Sequence, residues 1–119
     1  NTYYSNSTDN LDGLQIFSGT NITFKNNLAY APNAASTRIF IDSVGGNIAS
    51  NNSSNAQMKS TSPLFYSVPS ASATQLTATD FKIAAGSYAI GSGVTTSVLS
   101  DFQMSSRPTS LADIGAVIH

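Results

Sequence analysis

The chain has no cysteine, no tryptophan and no glutamate, and its one histidine, His119, is the last residue. Without cysteine there can be no disulfide framework, thiol nucleophile or thiolate zinc site. A single terminal histidine offers no serine–histidine–aspartate arrangement and reads as a frayed end or a tag remnant. Charge is scarce too. The 119 residues carry 5 Lys+Arg and 6 Asp+Glu, a net charge of −1 and only 9% charged positions, where ordinary domains carry about 25%. So few cations argue against a nucleic-acid groove, which needs clustered Lys and Arg to neutralise phosphates. No apolar run approaches the roughly 18 residues of a membrane-spanning helix, so no membrane partner is expected.

Serine, threonine and asparagine take over the solubilising role of the missing charges. A hydrophobic fraction of 40% separates the chain from disordered polar sequences. What remains is a set of short β-type runs: Gly13–Phe17, Asn21–Phe24, Leu28–Tyr30 and Thr37–Ile41. Each has the length of a strand and none has helical spacing. The runs repeat. Leu14 and Ile16 recur as Ile39 and Ile41, and Asn26-Asn27 as Asn51-Asn52, both 25 residues on; Asn21-Ile22 recurs as Asn47-Ile48 after 26. A period in the range of roughly 20–50 residues marks a solenoid. This one predicts three short strands per coil, with aliphatic side chains stacked inside. Asparagine at the corners tolerates left-handed backbone and can bond to its counterpart one coil away, so Asn27 and Asn52 are expected to form a ladder.

Beyond residue 61 the period is lost. Ser62-Pro63-Leu64-Phe65 is followed by a Ser/Ala/Thr-rich loop over 68–79, a candidate strand at Phe81–Ile83 and a Gly/Ser turn region over 86–93. An irregular lid over the exposed end of the stack is the expectation.

Material for chemistry is thin. Glycoside hydrolysis needs two carboxylates, and the acidic residues are Asp9, Asp12, Asp42, Asp80, Asp101 and Asp113. The last three fall in the irregular part, where bonding to turn backbone explains them. Asp9 and Asp12 flank a corner and invite the same reading, with a calcium site as the chemical alternative. If Leu14, Ile16, Ile39 and Ile41 point inward, alternation turns Gln15, Phe17, Arg38, Phe40 and Asp42 outward. Two aromatic faces beside a charge pair would suit a stacked sugar ring, so these five are the candidate substrate-binding residues. The plainer alternative is packing beneath a loop, with Arg38 paired to Asp42. Four sequons, at Asn6, Asn21, Asn51 and Asn52, are what so Asn/Ser/Thr-rich a chain gives by chance.

Residues 62–119 resemble the closing segment of right-handed parallel β-helix proteins of the pectate-lyase-like superfamily. That segment reads S-P-L-F, D-F-x-L, G-S-P-A-I-D-A-G, R-P and D-I-G-A. Its counterparts are Ser62–Phe65, Asp80–Ile83, Gly86–Gly93, Arg107-Pro108 and Asp113–Ala116, with Tyr88 in place of proline and Gly91 in place of aspartate. The stretches Asn1–Tyr4 and Asn21–Asn27 are similar to ordinary coils of the same helix. The resemblance implies an all-β, right-handed parallel β-helix, with coils over 1–61 and a final coil plus capping segment over 62–119. It implies the C-terminal portion of a secreted carbohydrate-active enzyme, foremost a polysaccharide lyase cleaving a uronate-containing polymer by β-elimination. That reaction needs a base and cationic stabilisation of the substrate carboxylate. A glycoside hydrolase, a non-catalytic carbohydrate-binding or adhesin helix, and a purely structural cap are the alternatives. The chain opens in mid-pattern, so the catalytic residues are expected before residue 1, and this segment alone should lack a complete active site. No cofactor is expected in the segment, and calcium belongs, if anywhere, to the full-length protein. The expected partners are a polysaccharide and either the preceding part of the same helix or a self-associated copy.

Overall fold

A computed structural model describes residues 1–66, 77–98, 100–101, 103–108, 112–115 and 117. Six strands come first: β1 (Thr2–Tyr4), β2 (Leu11–Ile16), β3 (Thr23–Lys25), β4 (Leu28–Tyr30), β5 (Thr37–Asp42) and β6 (Ile48–Ser50). A short helix α1 (Asn55–Ser60) and a 3-10 turn over Ala78–Phe81 follow. The described residues are thus mostly β. They form three two-stranded sheets, β1–β4, β2–β5 and β3–β6, each with parallel strands. The chain therefore visits three sheet positions in order and then visits them again in the same order. Parallel neighbours need a long crossover, and here the rest of the circuit is that crossover.

The spacing between partners changes along the circuit. Thr2 faces Leu28 and Leu14 faces Phe40, an offset of 26 residues, whereas Thr23 faces Ile48, an offset of 25. The residue is lost at the corner after β5. There the Asp42 carboxylate accepts the backbone N–H groups of Val44, Gly45 and Asn47 at 2.8–3.1 Å and the Asn47 amide at 2.9 Å. This Asx-type turn is tighter than the corner over residues 17–22. The expected pairing of Leu14 and Ile16 with Ile39 and Ile41 is accordingly corrected: their partners are Phe40 and Asp42. One residue of register is enough to change which side chains share a face.

The interior shows the consequence. Ile16 and Phe24 are buried, and the Phe40 ring stacks on Phe24 with centroids 5.8 Å apart and planes 18° from parallel. Phe40 therefore faces the core instead of the solvent. Strand β2 does not alternate strictly either: Asp12 and Gln15, three apart, are both exposed. The break falls at Gly13, where a Cβ would lie 2.5 Å from the Ile39 carbonyl oxygen. Only glycine lets the two backbones come so close.

The asparagine ladder forms, and it is longer than expected. The Asn1 amide donates to the Asn27 side-chain oxygen at 2.8 Å, and the Asn27 amide donates to that of Asn52 at 2.8 Å. The Asn52 oxygen also takes the Asn27 backbone N–H, while the Asn52 amide reaches the Phe24 carbonyl. Asn27 is 1% exposed, so this satisfaction is obligatory for a buried amide. The preceding residues, Asn26 and Asn51, turn the corner with φ of 56° and 52°, a conformation asparagine tolerates better than most side chains.

Helix α1 seals the second circuit. Ser54 and Gln57 form a reciprocal capping box at its start, and Met58 is fully buried. Donors on the outer edge of β4 and β5 that would otherwise be orphaned meet this stretch. Ala29 N–H reaches the Ser53 hydroxyl at 3.0 Å, and Ile39 N–H reaches the Asn55 side-chain oxygen at 3.0 Å. Just past β4, the Ala31 N–H reaches the Met58 carbonyl at 2.7 Å. These contacts come from ahead of the expected lid, and residues beyond 61 add to them where the Tyr88 hydroxyl meets that of Ser53 at 3.0 Å and the Asn51 amide donates to the Ser92 carbonyl at 3.1 Å.

Most of the later residues lie elsewhere. Phe65, Ile83, Ala89 and Ile114 form a buried cluster with Leu28, flanked by Tyr4 and Tyr30. Tyr4 and Tyr30 are partners across β1–β4, and both rings meet the Phe65 ring, at 6.3 and 6.5 Å. The segment thus runs across the outer flank of both circuits. The physical reason is that Tyr4, Leu28 and Tyr30 make this flank apolar. Burying an aliphatic side chain of this size stabilises by about 1.5–3 kcal/mol. Asn26 pins the segment with a two-way bond to the Val94 backbone, 2.6 and 2.9 Å. The strand expected at Phe81–Ile83 is instead the end of the 3-10 turn, capped by Asp80, and only Ile83 bridges to Phe65, antiparallel. Most of the expected Ser/Ala/Thr-rich loop over 68–79, namely 68–76, and His119 fall outside the described residues.

Candidate functional site

The outward stripe expected on β2 and β5 is not assembled as a platform. Arg38 is outward, but its guanidinium grips Asp12, its neighbour across the sheet, through two bonds of 2.8 Å. It is not paired to Asp42. Asp42 is consumed by the turn described above, and its pKa is lowered, chiefly by the Asn47 amide and further by the backbone N–H donors of Gly45, Val44 and Asn47. Phe40 is turned to the core. Gln15 is exposed opposite Ile41, and Phe17 stands at the end of β2, 76% exposed. Only Gln15 and Arg38 of the five share the exposed side of the sheet, and neither has an aromatic face from the group beside it.

The other carboxylates are engaged locally. Asp9 accepts from the Ser7 hydroxyl, Asp80 from Thr77, Asp101 from the Ser105 N–H and Asp113 from the Gly91 N–H. With Asp12 held by Arg38, the candidate calcium pair of Asp9 and Asp12 is split between two local arrangements. Among the described residues, no group of three or more acidic, histidine or cysteine side chains is placed to hold a metal.

A cleft that sequence reasoning missed opens beside β3. It has a volume of about 520 Å³ and lies between β3 and the 96–107 segment. Thr23 and Lys25, the exposed residues on either side of buried Phe24, form one wall; Thr96, Ser100 and Arg107 stand on the other. Arg107 is immobilised by three carbonyls: its Nε donates to Ser100 at 3.2 Å, and its terminal nitrogens to Asp113 at 3.4 Å and Gly115 at 2.8 Å. These bonds hold the guanidinium without neutralising it.

The signals in the sequence for this cleft are weak ones. Lys25 sits in a strand whose alternation points it outward, and Arg107 belongs to the R-P motif, but nothing in the linear sequence brings them together. No family model matches the chain, and neither a curated protein nor a solved structure matches it at a significant level.

Proposed function

We propose that the chain is the closing part of a right-handed parallel β-helix in a secreted carbohydrate-active protein, and that its own contribution is to end the helix. The observation that carries this reading is the repeated circuit: three parallel strand pairs 25 or 26 residues apart, stitched by stacked Asn1, Asn27 and Asn52. Connections between parallel strands of one sheet are right-handed in about 98% of cases, which favours that hand. The family, and with it the carbohydrate, rests on the resemblance carried by the motifs between Ser62 and Ala116.

The two ends of the stack differ in a way that supports an end-closing role. The edge of the second circuit is met by Ser53, Asn55 and Met58. The strands β1, β2 and β3 have no strand partner on their other edge among the described residues, and such an edge is a template for a further strand. A preceding coil would fit it, with an asparagine donating to Asn1 as Asn1 does to Asn27. Uronate β-elimination asks for a base free to approach a sugar carbon. Arg38 is tied to Asp12 and Arg107 to three carbonyls, so neither arginine is free to act as that base; in this reading the lyase chemistry is assigned to coils before Asn1.

Two measurements test the proposal. Fusing one further coil with an asparagine at the ladder position ahead of Asn1 should raise the melting temperature in a single cooperative transition. Two independent transitions, or no rise, would count against a helix end. Incubation of the chain with polygalacturonate should give no unsaturated product absorbing in the ultraviolet. Sustained product formation by the chain alone would overturn the assignment of catalysis elsewhere.

A further inference from the structure

The cleft between β3 and the 96–107 segment has the chemistry of a ligand site, and it lies away from the sheet that the outward stripe was expected to occupy. Its volume, about 520 Å³, is within the roughly 300–1,000 Å³ of small-molecule sites. Two of its cations are unneutralised. Within the described residues the ion pair at salt-bridge distance is Arg38 with Asp12, so neither Lys25 nor Arg107 has a carboxylate partner of its own chain there. The acid that lines the cleft, Asp101, has a side-chain oxygen occupied by the Ser105 N–H at 2.8 Å. The cleft therefore carries an excess of positive charge in a molecule whose net charge is −1.

The rest of the lining limits the kind of anion. Thr23, Thr96 and Ser100 present hydroxyls, which both donate and accept. Val98, 60% exposed, adds an apolar surface at the mouth. Hydroxyls paired with a small apolar face and a cation suit a ring bearing many hydroxyls, some C–H surface and one acid group. A bare inorganic anion could take the hydroxyls as donors but would leave the apolar surface of Val98 unused.

We propose that this cleft binds an acidic saccharide, with Lys25 contacting the sugar carboxylate and the fixed Arg107 guanidinium supplying the favourable field behind it. The inference rests on the carbohydrate reading above and names the site and ligand class within it. Lys25 is the mobile partner, a flexible point charge on an exposed strand position. Arg107 is a positioning residue. Its fork is already spent on Ser100, Asp113 and Gly115, so it acts through charge and by holding the cleft wall.

The probe is a galacturonate trisaccharide, with the uncharged galactose trisaccharide as its neutral counterpart, titrated calorimetrically into the intact chain. The acidic sugar should bind and the neutral one should bind at least tenfold more weakly. Lys25→Ala should weaken the acidic sugar by roughly 10- to 100-fold, the loss of a bond to a charged group worth about 1.5–3 kcal/mol. Lys25→Glu should abolish binding, and Lys82→Ala, on a lysine beside Tyr66, should leave it unchanged. Melting temperatures of the variants separate lost contact from lost fold. Raising the salt should weaken the acidic sugar, because the site is open and screened over about 8 Å at physiological ionic strength.

Equal affinity for both sugars would overturn the acidic class. Binding indifferent to Lys25→Ala and Lys25→Glu would overturn the site while leaving a saccharide ligand in place. Failure of both sugars to bind would overturn the inference alone, since the closing role is judged separately, by the cooperativity of the coil fusion and by the lyase assay.

Discussion

The two circuits over residues 1–54 and the flank segment over residues 77–117 are held by different kinds of contact. In the circuits, the same interaction is made twice at equivalent places. Thr2–Leu28, Leu11–Thr37 and Thr23–Ile48 are parallel backbone pairs, and the Asn1–Asn27 bond is copied by Asn27–Asn52. In the flank, each contact is made once: an isolated Phe65–Ile83 bridge, a Ser100–Ser106 bridge, and an apolar cluster centred on Leu28. Repetition spreads stability over many small terms, so removing one leaves its copies. The flank concentrates it in a few aliphatic side chains. Leu28 belongs to both, because it lies in β4 and at the centre of the flank cluster.

The largest effect is therefore expected where the two regions meet. Leu28→Ala should cost about 2–5 kcal/mol, the usual range for truncating a buried leucine, and both regions should weaken together in one shifted transition. Hydrogen exchange at the β4–β5 amides and at flank amides such as Gly115, followed through thermal unfolding, would report them separately; well-separated midpoints would show that Leu28 does not couple them. Ile114→Ala removes a side chain that is 2% exposed and belongs to the flank alone. The loss should again fall within about 2–5 kcal/mol, but hydrogen exchange should rise at the flank amides, such as Gly115 and Val94, and stay slow in β4 and β5. Uniform acceleration would break the proposed distinction.

Asn27→Ala sharpens the comparison from the other side. The Asn1 amide and the Asn52 oxygen would each lose a partner in a partly buried setting, where leaving a polar group unsatisfied costs about 1 kcal/mol, the low end of the usual range. Because the ladder is repeated, the backbone pairs of β1–β4 and β3–β6 should persist, and the unfolding transition should move without splitting. A loss within experimental error would mean that solvent replaces the amide freely and that the ladder is ornamental.

How far the sequence was legible follows the same division. Repetition is visible in a linear string, so Leu28–Tyr30 and the Asn27–Asn52 bond were readable from it, and the all-β class with them. A period of 25 was read both at Asn26-Asn27 and at Leu14 and Ile16, but at Leu14 and Ile16 the offset is 26. The cause is the tight turn that the Asp42 carboxylate builds with Val44, Gly45 and Asn47. Side-chain-built turns change loop length without altering the hydrophobic pattern, so alternation placed Phe40 outward when its ring lies on Phe24. The flank position of Phe65, Ile83 and Ile114, and the pairing of Lys25 with Arg107 across one cleft, depend on contacts made once between distant residues. No periodicity announces those.

The Asp42 turn itself gives the next test. Its folded-state pKa lies below its unfolded value because four donors favour the ionised form. The stabilisation it brings is thus fully present above the ordinary carboxylate range and is lost as the pH falls through the lower, folded-state value. Asp42→Asn should flatten the fall of melting temperature over that acid window while changing little near neutral pH. The carboxylate is solvent-exposed, so the effect should be small. A parent protein whose melting temperature does not respond to acid over this window would show that the turn holds by its backbone geometry alone.

The smallest effect is expected at the one residue of the outward stripe that carries charge on an open face. Arg38 and Asp12 make two good bonds, but their side chains are 52% and 33% exposed. Exposed pairs of this kind are worth about 0–1 kcal/mol because water and salt compete for both partners. Arg38→Ala should therefore shift stability by less than about 1 kcal/mol, and the shift should shrink further in high salt. It should also leave the affinity for the galacturonate trisaccharide unchanged, which places it in direct contrast with Lys25→Ala. Two cations of the same chain are compared by this pair of variants, one joined to a carboxylate across its own sheet and one facing a cleft without such a partner. If Arg38→Ala weakened the sugar as much as Lys25→Ala, the β2–β5 face and not the β3 cleft would be the binding surface.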